Sequence, residues 1–208
     1  MTPQDAITEA RDILLDTDST SYRQSDPELL RYFNEGLLAA SVLAPHLFIT
    51  SGDLTCQAIS AEQIVAFTDA QRFVSVLRVK GGNAVTECDK SSLDRYLPGW
   101  QSMTGDVAVN WMKSNKADPR RFYVYPPAPS AGQTLVVEYV KIPPAYLLTD
   151  TVTVLPPTAK PALVNYIVAR AESKDDEHVN SNRAMTHMGL FNEFFAPGQK
   201  PQAPQQGA

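Results

Sequence analysis

Three histidines and two cysteines are the residues of this chain with the widest range of chemistry. His178 ends the run Asp-Asp-Glu-His at 175–178, whose composition would suit a metal ion. Consecutive residues on a helix point about 100° apart, so these side chains would not converge on one ion, and we expect a solvated acidic face. His46 follows a proline at a predicted helix end and is expected in a loop. His187 lies beside an apolar stripe and is expected to be packed or at an interface.

The remaining reactive residues also form no known catalytic pattern. Cys56 and Cys88 lack the paired spacing of a zinc site, and we expect small, reduced side chains in a cytosolic compartment. Whether they pair depends on Cα geometry and is left open. Residues 81–83 lack the Lys-Ser/Thr of a phosphate loop, and neither a nucleophile elbow nor a zincin motif occurs. We predict no catalytic residue, metal or cofactor; an unrecognised hydrolase is the lesser alternative, because triads are assembled in space.

The aromatic residues fall into two groups. Trp111, Tyr123, Tyr125 and Tyr139 lie in predicted strands, and we expect them in a core rather than stacked on nucleic-acid bases. The net charge of −5 supports this reading, since nucleic-acid-binding domains usually carry a basic face.

The second group is Phe191, Phe194 and Phe195, three phenylalanines within five residues. They cover more than one face of a helix, so part of the set is expected at an interface with a partner.

The composition supports a packed core and excludes several classes of protein. Hydrophobic residues make up 43% of the 208 residues and charged residues 20%, which argues against extensive disorder. No stretch of about 20 apolar residues predicts a membrane span. The N-terminus has neither the basic start nor the apolar segment of a secretory signal.

Periodicity places helices at both ends of the chain. Apolar residues recur at helical spacing over 5–15, and a second helix is predicted from Asp26 to about 44. Asp26 is expected to cap that helix, with Pro27 at its first helical position. Two further helices are predicted after Pro161 and after Asn180 or Asn182. The C-terminal residues beyond Phe195 show no apolar periodicity.

The middle of the chain has the composition of strands. Five are predicted, over 72–79, 84–88, 107–112, 121–125 and 134–140, with a short helix over 91–97. Their links are too short for parallel crossovers, so we expect a mostly antiparallel sheet. The predicted fold class is α+β, with a helical bundle of 3–50 and 156–196, an inserted β-rich domain of 51–155 and a flexible Pro/Gln-rich tail of 197–208.

Five parts of the chain share an order and spacing that is familiar as a set: residues 10–16, the run Tyr-Arg-Gln-Ser-Asp-Pro-Glu at 22–28, the following helix with Asn34, the strands 121–125 and 135–139, and the helix 161–171. Together they resemble the adaptor, or head-to-tail connector, proteins of tailed bacteriophages. The resemblance spans about residues 3 to 196 and rests on ordinary residue types in a shared order, without a catalytic signature.

The resemblance implies a structural virion protein in the neck between capsid and tail, made in the host cytoplasm. Such adaptors form a homo-oligomeric ring, usually of twelve copies, that joins the portal protein to a tail, tail-tube or nozzle protein. The ring extends the channel through which genomic DNA passes without sequence-specific binding, and no membrane is involved. A tail-completion or stopper protein of the same connector is the alternative. Candidate portal or subunit contacts are Phe191, Phe194, Phe195, Pro197, Pro201 and Pro204.

Overall fold

A computed structural model describes residues 1–174 and 180–198. The chain is α+β, as predicted. The helices are α1 (Pro3–Leu14), α2 (Asp26–Leu43), α3 (Lys90–Tyr96), α4 (Lys160–Glu172) and α5 (Ser181–Phe195). The strands are β1 (Ile49–Thr55), β2 (Glu62–Ile64), β3 (Ala70–Val79), β4 (Thr86–Glu87), β5 (Asn110–Lys113), β6 (Arg121–Tyr125) and β7 (Thr134–Lys141).

Contacts divide the chain into a helical unit, Met1–Leu47 with Pro143–Ala208, and a β unit, Phe48–Ile142. Residues 143–155 therefore group with the helices and residues 48–50 with the strands, whereas 143–155 were predicted in the inserted region and 48–50 in the bundle. The reason is a set of backbone hydrogen bonds with no sequence pattern: Gln4 N–H donates to the Leu148 carbonyl and Val152 N–H to the Met1 carbonyl.

The helical unit packs α1, α2 and α5 against α4. Helix α1 begins with a capping box in which Thr2 and Asp5 bond each other's backbone amides. The fully buried side chains at the centre of the unit come from all four helices. They include Ile7, Leu29, Phe33, Leu37, Leu163, Ile167 and Phe191.

The predicted cap of α2 is wrong in its residue. Ser25 occupies the N-cap position, and Asp26 lies in the first turn with its carboxylate 2.6 Å from the Arg11 guanidinium. An arginine charge competes successfully for a carboxylate that could otherwise accept from helix amides. The expected cap of α5 is Asn180, whose side chain accepts from Arg183 N–H.

The β unit is a sandwich of two sheets, with strand orders β1-β7-β3 and β2-β6-β5-β4. All pairings are antiparallel except β4 with β5. Phe73 from the first sheet stacks on Phe122 from the second at 4.3 Å between ring centroids, and Trp111 meets Phe73 edge-on. The other face of the second sheet is covered by α3 and the following turn, where Trp100 is fully buried.

Strands β1 and β2 were not predicted, and the strand predicted over 84–88 is shorter in the structure, where β4 covers only Thr86–Glu87. Strand β1 contains serine, glycine and aspartate, which are poor strand formers, and β2 has only three residues. Chain reversal at Gly81 produces a single antiparallel bridge between Arg78 and Ala84, after which the chain crosses to the other sheet as β4. Cys56 is buried, Cys88 is half-buried, and both are free thiols.

Candidate interaction surfaces

The loop between α1 and α2 is organised around one buried guanidinium. Arg11 donates to the Asp16 and Asp26 carboxylates, at 2.6 Å each, and to the Gln24 carbonyl at 2.8 Å. The Tyr22 ring lies over the guanidinium with its centroid at 3.5 Å. Asp16 also accepts from the backbone amides of residues 23 and 24. The motif around residues 22–26, which suggested the family resemblance, is therefore part of a hydrogen-bonded loop. This loop sets the position of α2 relative to α1.

Asn34, the asparagine noted in the sequence of α2, has a comparable role. Its side-chain amide donates to the Tyr146 carbonyl at 3.1 Å, and its oxygen accepts from Tyr146 N–H at 2.9 Å. The Asn34 side chain thus binds both backbone groups of one residue, as a neighbouring strand would. These two hydrogen bonds hold residues 143–155 against α2.

Helix α5 is anchored by polar contacts on its inner side. Arg183 lies 3.1 Å from the buried Glu172 carboxylate and also donates to the Ile13 carbonyl. The His187 ring nitrogen Nδ1 lies 2.8 Å from the Asn165 side-chain oxygen. Burial, together with the nearby Arg183 charge, lowers the pKa of His187. The histidine is thus packed, as expected, and it serves the attachment of α5 to α4.

The phenylalanines of α5 divide between the core and the surface. Phe191 and Phe195 are buried in the helical unit, and the Phe191 ring lies 4.9 Å from the Tyr166 ring. These two side chains complete the core of their own chain, so their expected availability to a partner is wrong. Phe194 is 46% exposed and Pro197 is exposed, so both remain accessible. Pro201 and Pro204 lie outside the described residues, as does His178.

The outer surface of α5, here called the α5 face, is almost free of charge. Its exposed residues are Ser181, Asn182, Met185, Thr186, Gly189, Leu190, Asn192, Glu193 and Phe194. Met185 is 67% exposed and Leu190 46%, and Glu193 is the single charged member. Depletion of charge together with exposed methionine and phenylalanine is the composition of a protein interface rather than of a solvated helix.

A second uncharged surface follows α2. Residues 36–45 contain no charged side chain, and Leu38 and Val42, one helical turn apart, are both exposed. The amino-acid pattern does not distinguish Leu38 and Val42 from core positions, because the whole segment lacks charge. Only the packing of α2 against α4 shows which residues are left outside.

Charge is distributed unequally between the two units. The helical unit has 8 Lys+Arg against 14 Asp+Glu, a net charge of −6, whereas the β unit has 10 against 9, a net +1. The excess negative charge of the chain therefore belongs to the helical unit, counting its helices and its connecting segments together. A surface of this sign repels phosphate, and the repulsion weakens as salt rises.

The described residues contain no group of three or more His, Cys, Asp or Glu side chains placed to hold a metal ion. His46 is exposed in a 3-10 turn, and burial raises the pKa of the Cys56 thiol to about 12, which suppresses its reactive thiolate. Trp111 and Tyr139 are buried, while Tyr123 and Tyr125 pack against Trp100. No helix among the described residues is long and apolar enough to cross a bilayer.

These observations describe an α+β protein whose distinctive surfaces are uncharged helix faces suited to contacts with other proteins. Residues 1–206 match the SU10 adaptor protein family, and the chain belongs to that family. The match covers nearly the whole sequence and agrees with the resemblance to bacteriophage head-to-tail adaptors. No curated protein matches the chain.

Proposed function

We propose that this adaptor protein forms a homo-oligomeric ring in the virion neck, joins the portal to the tail and extends the DNA channel. Family membership over residues 1–206 is the observation that carries the proposal. A ring, usually of twelve copies in such adaptors, needs two different complementary surfaces on each subunit, because its contacts run head to tail. The helical unit offers two uncharged candidates for these surfaces. One is the α5 face, and the other is the surface of α2 that exposes Leu38 and Val42.

Within the ring, the acidic helical unit suits a channel that DNA must pass without binding. Repeating a net charge of −6 around an axis would create a field that repels phosphate at low salt. The α5 face, with Phe194 and Pro197, makes the contact with the portal or with a neighbouring subunit. No catalytic step and no cofactor enter this function.

The test is native mass spectrometry of the purified chain mixed with the portal protein of the same genome. We expect a complex with one adaptor per portal subunit. Absence of a complex at concentrations well above micromolar would contradict the adaptor position and favour a stopper or tail-completion protein.

A matched pair of variants connects the complex to the α5 face. Leu190→Asp places a carboxylate at the centre of the face and should weaken assembly about tenfold or more, because an unpaired charge is costly to bury. Leu147→Asp makes the same substitution at an exposed leucine outside both candidate surfaces, so it should assemble nearly as the parent does. Equal behaviour of the two variants would show that the contact lies elsewhere.

A further inference from the structure

The first strand of the β unit has a regular edge that no described strand covers. Strand β1 lies at one end of the sheet β1-β7-β3, and its seven residues pair with β7 in one continuous register. On the other side of β1 no strand pairs with it among the described residues. An edge of this length is a ready template for pairing, because its amides and carbonyls can bond another chain.

The alternation of hydrogen bonds along β1 shows which backbone groups face the open edge. Cys56, directly after the strand, donates its amide hydrogen to the Gln133 carbonyl on the β7 side at 2.8 Å. In an antiparallel pair every second residue bonds the neighbouring strand, so the even-numbered residues of β1 bond β7. The backbone groups that point to the open edge belong to Ser51, Asp53 and Thr55. All three residues are exposed, and no described residue outside the sheet bonds their backbone groups.

The other ends of the two sheets carry the protection that β1 lacks. Strand β3 departs from regular register with β7 at three places, and such bulges interrupt further pairing. The far side of β3 is also occupied, since Val85 N–H donates to the Leu77 carbonyl at 3.3 Å. Strand β2, at the end of the second sheet, has only three residues. In contrast, β1 contains neither lysine nor proline, the residues that commonly block pairing at an edge.

The two faces of β1 specify the side chains that an added strand should carry. On the inner face Gly52 leaves room for the Phe67 ring, which would lie 2.9 Å from a Cβ at that position. Phe67 is half-buried against the Tyr139 ring, at 4.9 Å between centroids, so an apolar side chain of an added strand would extend this packing. On the outer face Asp53 is the single charge of β1, and its side chain is 48% exposed although it pairs with Lys80. A basic side chain directly beside Asp53 would therefore be favourable.

We propose that the open edge of β1 binds an extended segment of a different protein as an additional strand. The bound segment has apolar side chains at alternate positions, facing Phe67, and a basic side chain beside Asp53. In this mode of recognition the main-chain hydrogen bonds provide affinity and the alternate side chains provide specificity.

Two other occupants have the wrong chemistry for this edge. The C-terminal segment contains Pro201 and Pro204, three residues apart, so one of the two prolines would face β1 without an amide donor. A second copy of β1 would bring two Asp53 carboxylates onto the same face of the sheet. It would also form a two-fold contact, which does not continue around a ring; this last reason alone rests on the proposed function.

The test uses the full chain and a synthetic peptide with blocked ends, Thr-Val-Lys-Val-Thr-Val-Thr. In antiparallel register this peptide places its valines on the Phe67 side and its lysine beside Asp53. Hydrogen–deuterium exchange is followed by mass spectrometry while the peptide is titrated to millimolar concentration. We expect exchange within residues 49–55 to slow about tenfold or more at saturation, because the outward amides become hydrogen-bonded. No protection of this segment would overturn the proposal.

Two methylated peptides are matched controls that leave the protein unchanged. N-methylation of the lysine and the two threonines after it removes amide donors that face β1, and it should abolish the protection. N-methylation of the three valines removes the same number of donors from the opposite side of the peptide, and it should preserve the protection. Equal effects of the two peptides would refute strand addition.

Variants of the chain test the same contact from the side of β1. Ser51→Pro removes an outward amide and leaves the bonds to β7, so it should weaken peptide binding about tenfold, whereas Ser51→Ala should bind as the parent does. Asp53→Lys should weaken binding about fivefold and should favour a peptide with glutamate in place of lysine. Unchanged affinity in both Ser51→Pro and Asp53→Lys would contradict the site.

The remaining outcomes separate this proposal from the ring. Protection of β1 that grows with the concentration of the chain alone would identify a second copy as the occupant and overturn the proposal. A chain that assembles with the portal but does not bind the peptide overturns the edge contact and leaves the ring standing. A chain that binds the peptide at β1 but forms neither a ring nor a portal complex overturns the ring alone.

Discussion

Replacing Arg11 by methionine should destabilise the helical unit more than any single surface change. Methionine keeps an apolar stem in the same space but removes the charge that faces Asp16. The Arg11 and Asp16 side chains are each only 6% exposed, so the change leaves a carboxylate buried without its counter-ion. Breaking a buried ion pair from one side costs about 3–5 kcal/mol. Asp16 retains two backbone amide donors, at 2.8 and 3.3 Å, so we expect a loss of about 3 kcal/mol, the lower end of that range.

Urea denaturation followed by two probes measures this loss. Both tryptophans, Trp100 and Trp111, lie in the β unit, so their fluorescence reports that unit, whereas circular dichroism at 222 nm reports mainly the helices. With a denaturant slope of about 2 kcal/mol per molar urea, a loss of 3 kcal/mol lowers the midpoint of the dichroism transition by about 1.5 M.

The double variant with Asp16→Asn supplies the control. Removing both charges eliminates the uncompensated carboxylate, so Arg11→Met with Asp16→Asn should be more stable than Arg11→Met alone. A loss below about 1 kcal/mol for Arg11→Met, the range of exposed pairs, would refute the reasoning. So would a double variant no more stable than the single one.

The Arg11→Met variant also tests whether Asp26 acts through Arg11 or as a helix cap. Its carboxylate is 40% exposed and pairs with Arg11, so Asp26→Ala should cost about 1 kcal/mol or less. If that contribution passes through Arg11, the substitution should cost nothing further in the Arg11→Met chain. A helix cap would instead contribute equally in both backgrounds.

Three other outcomes are expected from the helical unit. Gly36→Ala should lower the melting temperature, because the new Cβ would lie 3.0 Å from the Tyr166 ring. Gly189→Ala, in open space on α5, should instead raise the free energy of unfolding by up to about 1 kcal/mol through helix propensity. The opposite order of stability in thermal melts would contradict this contrast. Gln24→Met should raise the free energy of unfolding by about 1 kcal/mol, since the Gln24 side-chain amide is buried without a hydrogen-bond partner among the described residues. An unchanged or lower urea midpoint would mean that the amide is hydrogen-bonded in solution. The pKa of His187 is lowered in the folded state, so the unfolded chain takes up its proton first as the pH falls, and the free energy of unfolding should decrease as the pH drops through about 6.5. His187→Gln should remove this part of the pH dependence. An identical pH profile of stability in the parent and the variant would contradict the role of His187.

The sequence was most informative where structure depends on local patterns. Helices α1, α2, α4 and α5 follow from apolar periodicity, and β3, β6 and β7 from runs of β-branched and aromatic residues. Strand β1 escaped prediction because its Ser51, Gly52 and Asp53 have low strand propensity, and pairing with the full length of β7 overrides it. Likewise, residues 143–155 carry no helical pattern, and hydrogen bonds from Asn34 and from two backbone amides attach them to the helical unit.

The candidate surfaces show the same division more sharply. Three phenylalanines within five residues predicted an interface, but a count of aromatic residues does not tell which ones α4 covers. Phe191 is buried against Tyr166 and Phe195 is buried against Phe191, so both leave that set, whereas Phe194 stays exposed like Leu190 and Met185. The uncharged character of the α5 face becomes visible only after the outward positions have been separated from the inward ones.

By itself, then, the sequence determined the α+β class, the order of helices and strands and the adaptor resemblance, because these follow from residue types and spacing along the chain. The tertiary structure alone decided the partner of Asp26, the exposed face of α5 and the attachment of residues 143–155 to α2. Each of these depends on groups far apart in sequence: an arginine from the preceding helix, a tyrosine ring from α4 and the side chain of Asn34. Competition among such distant groups for the same side chain or surface is settled by packing, which no local pattern records.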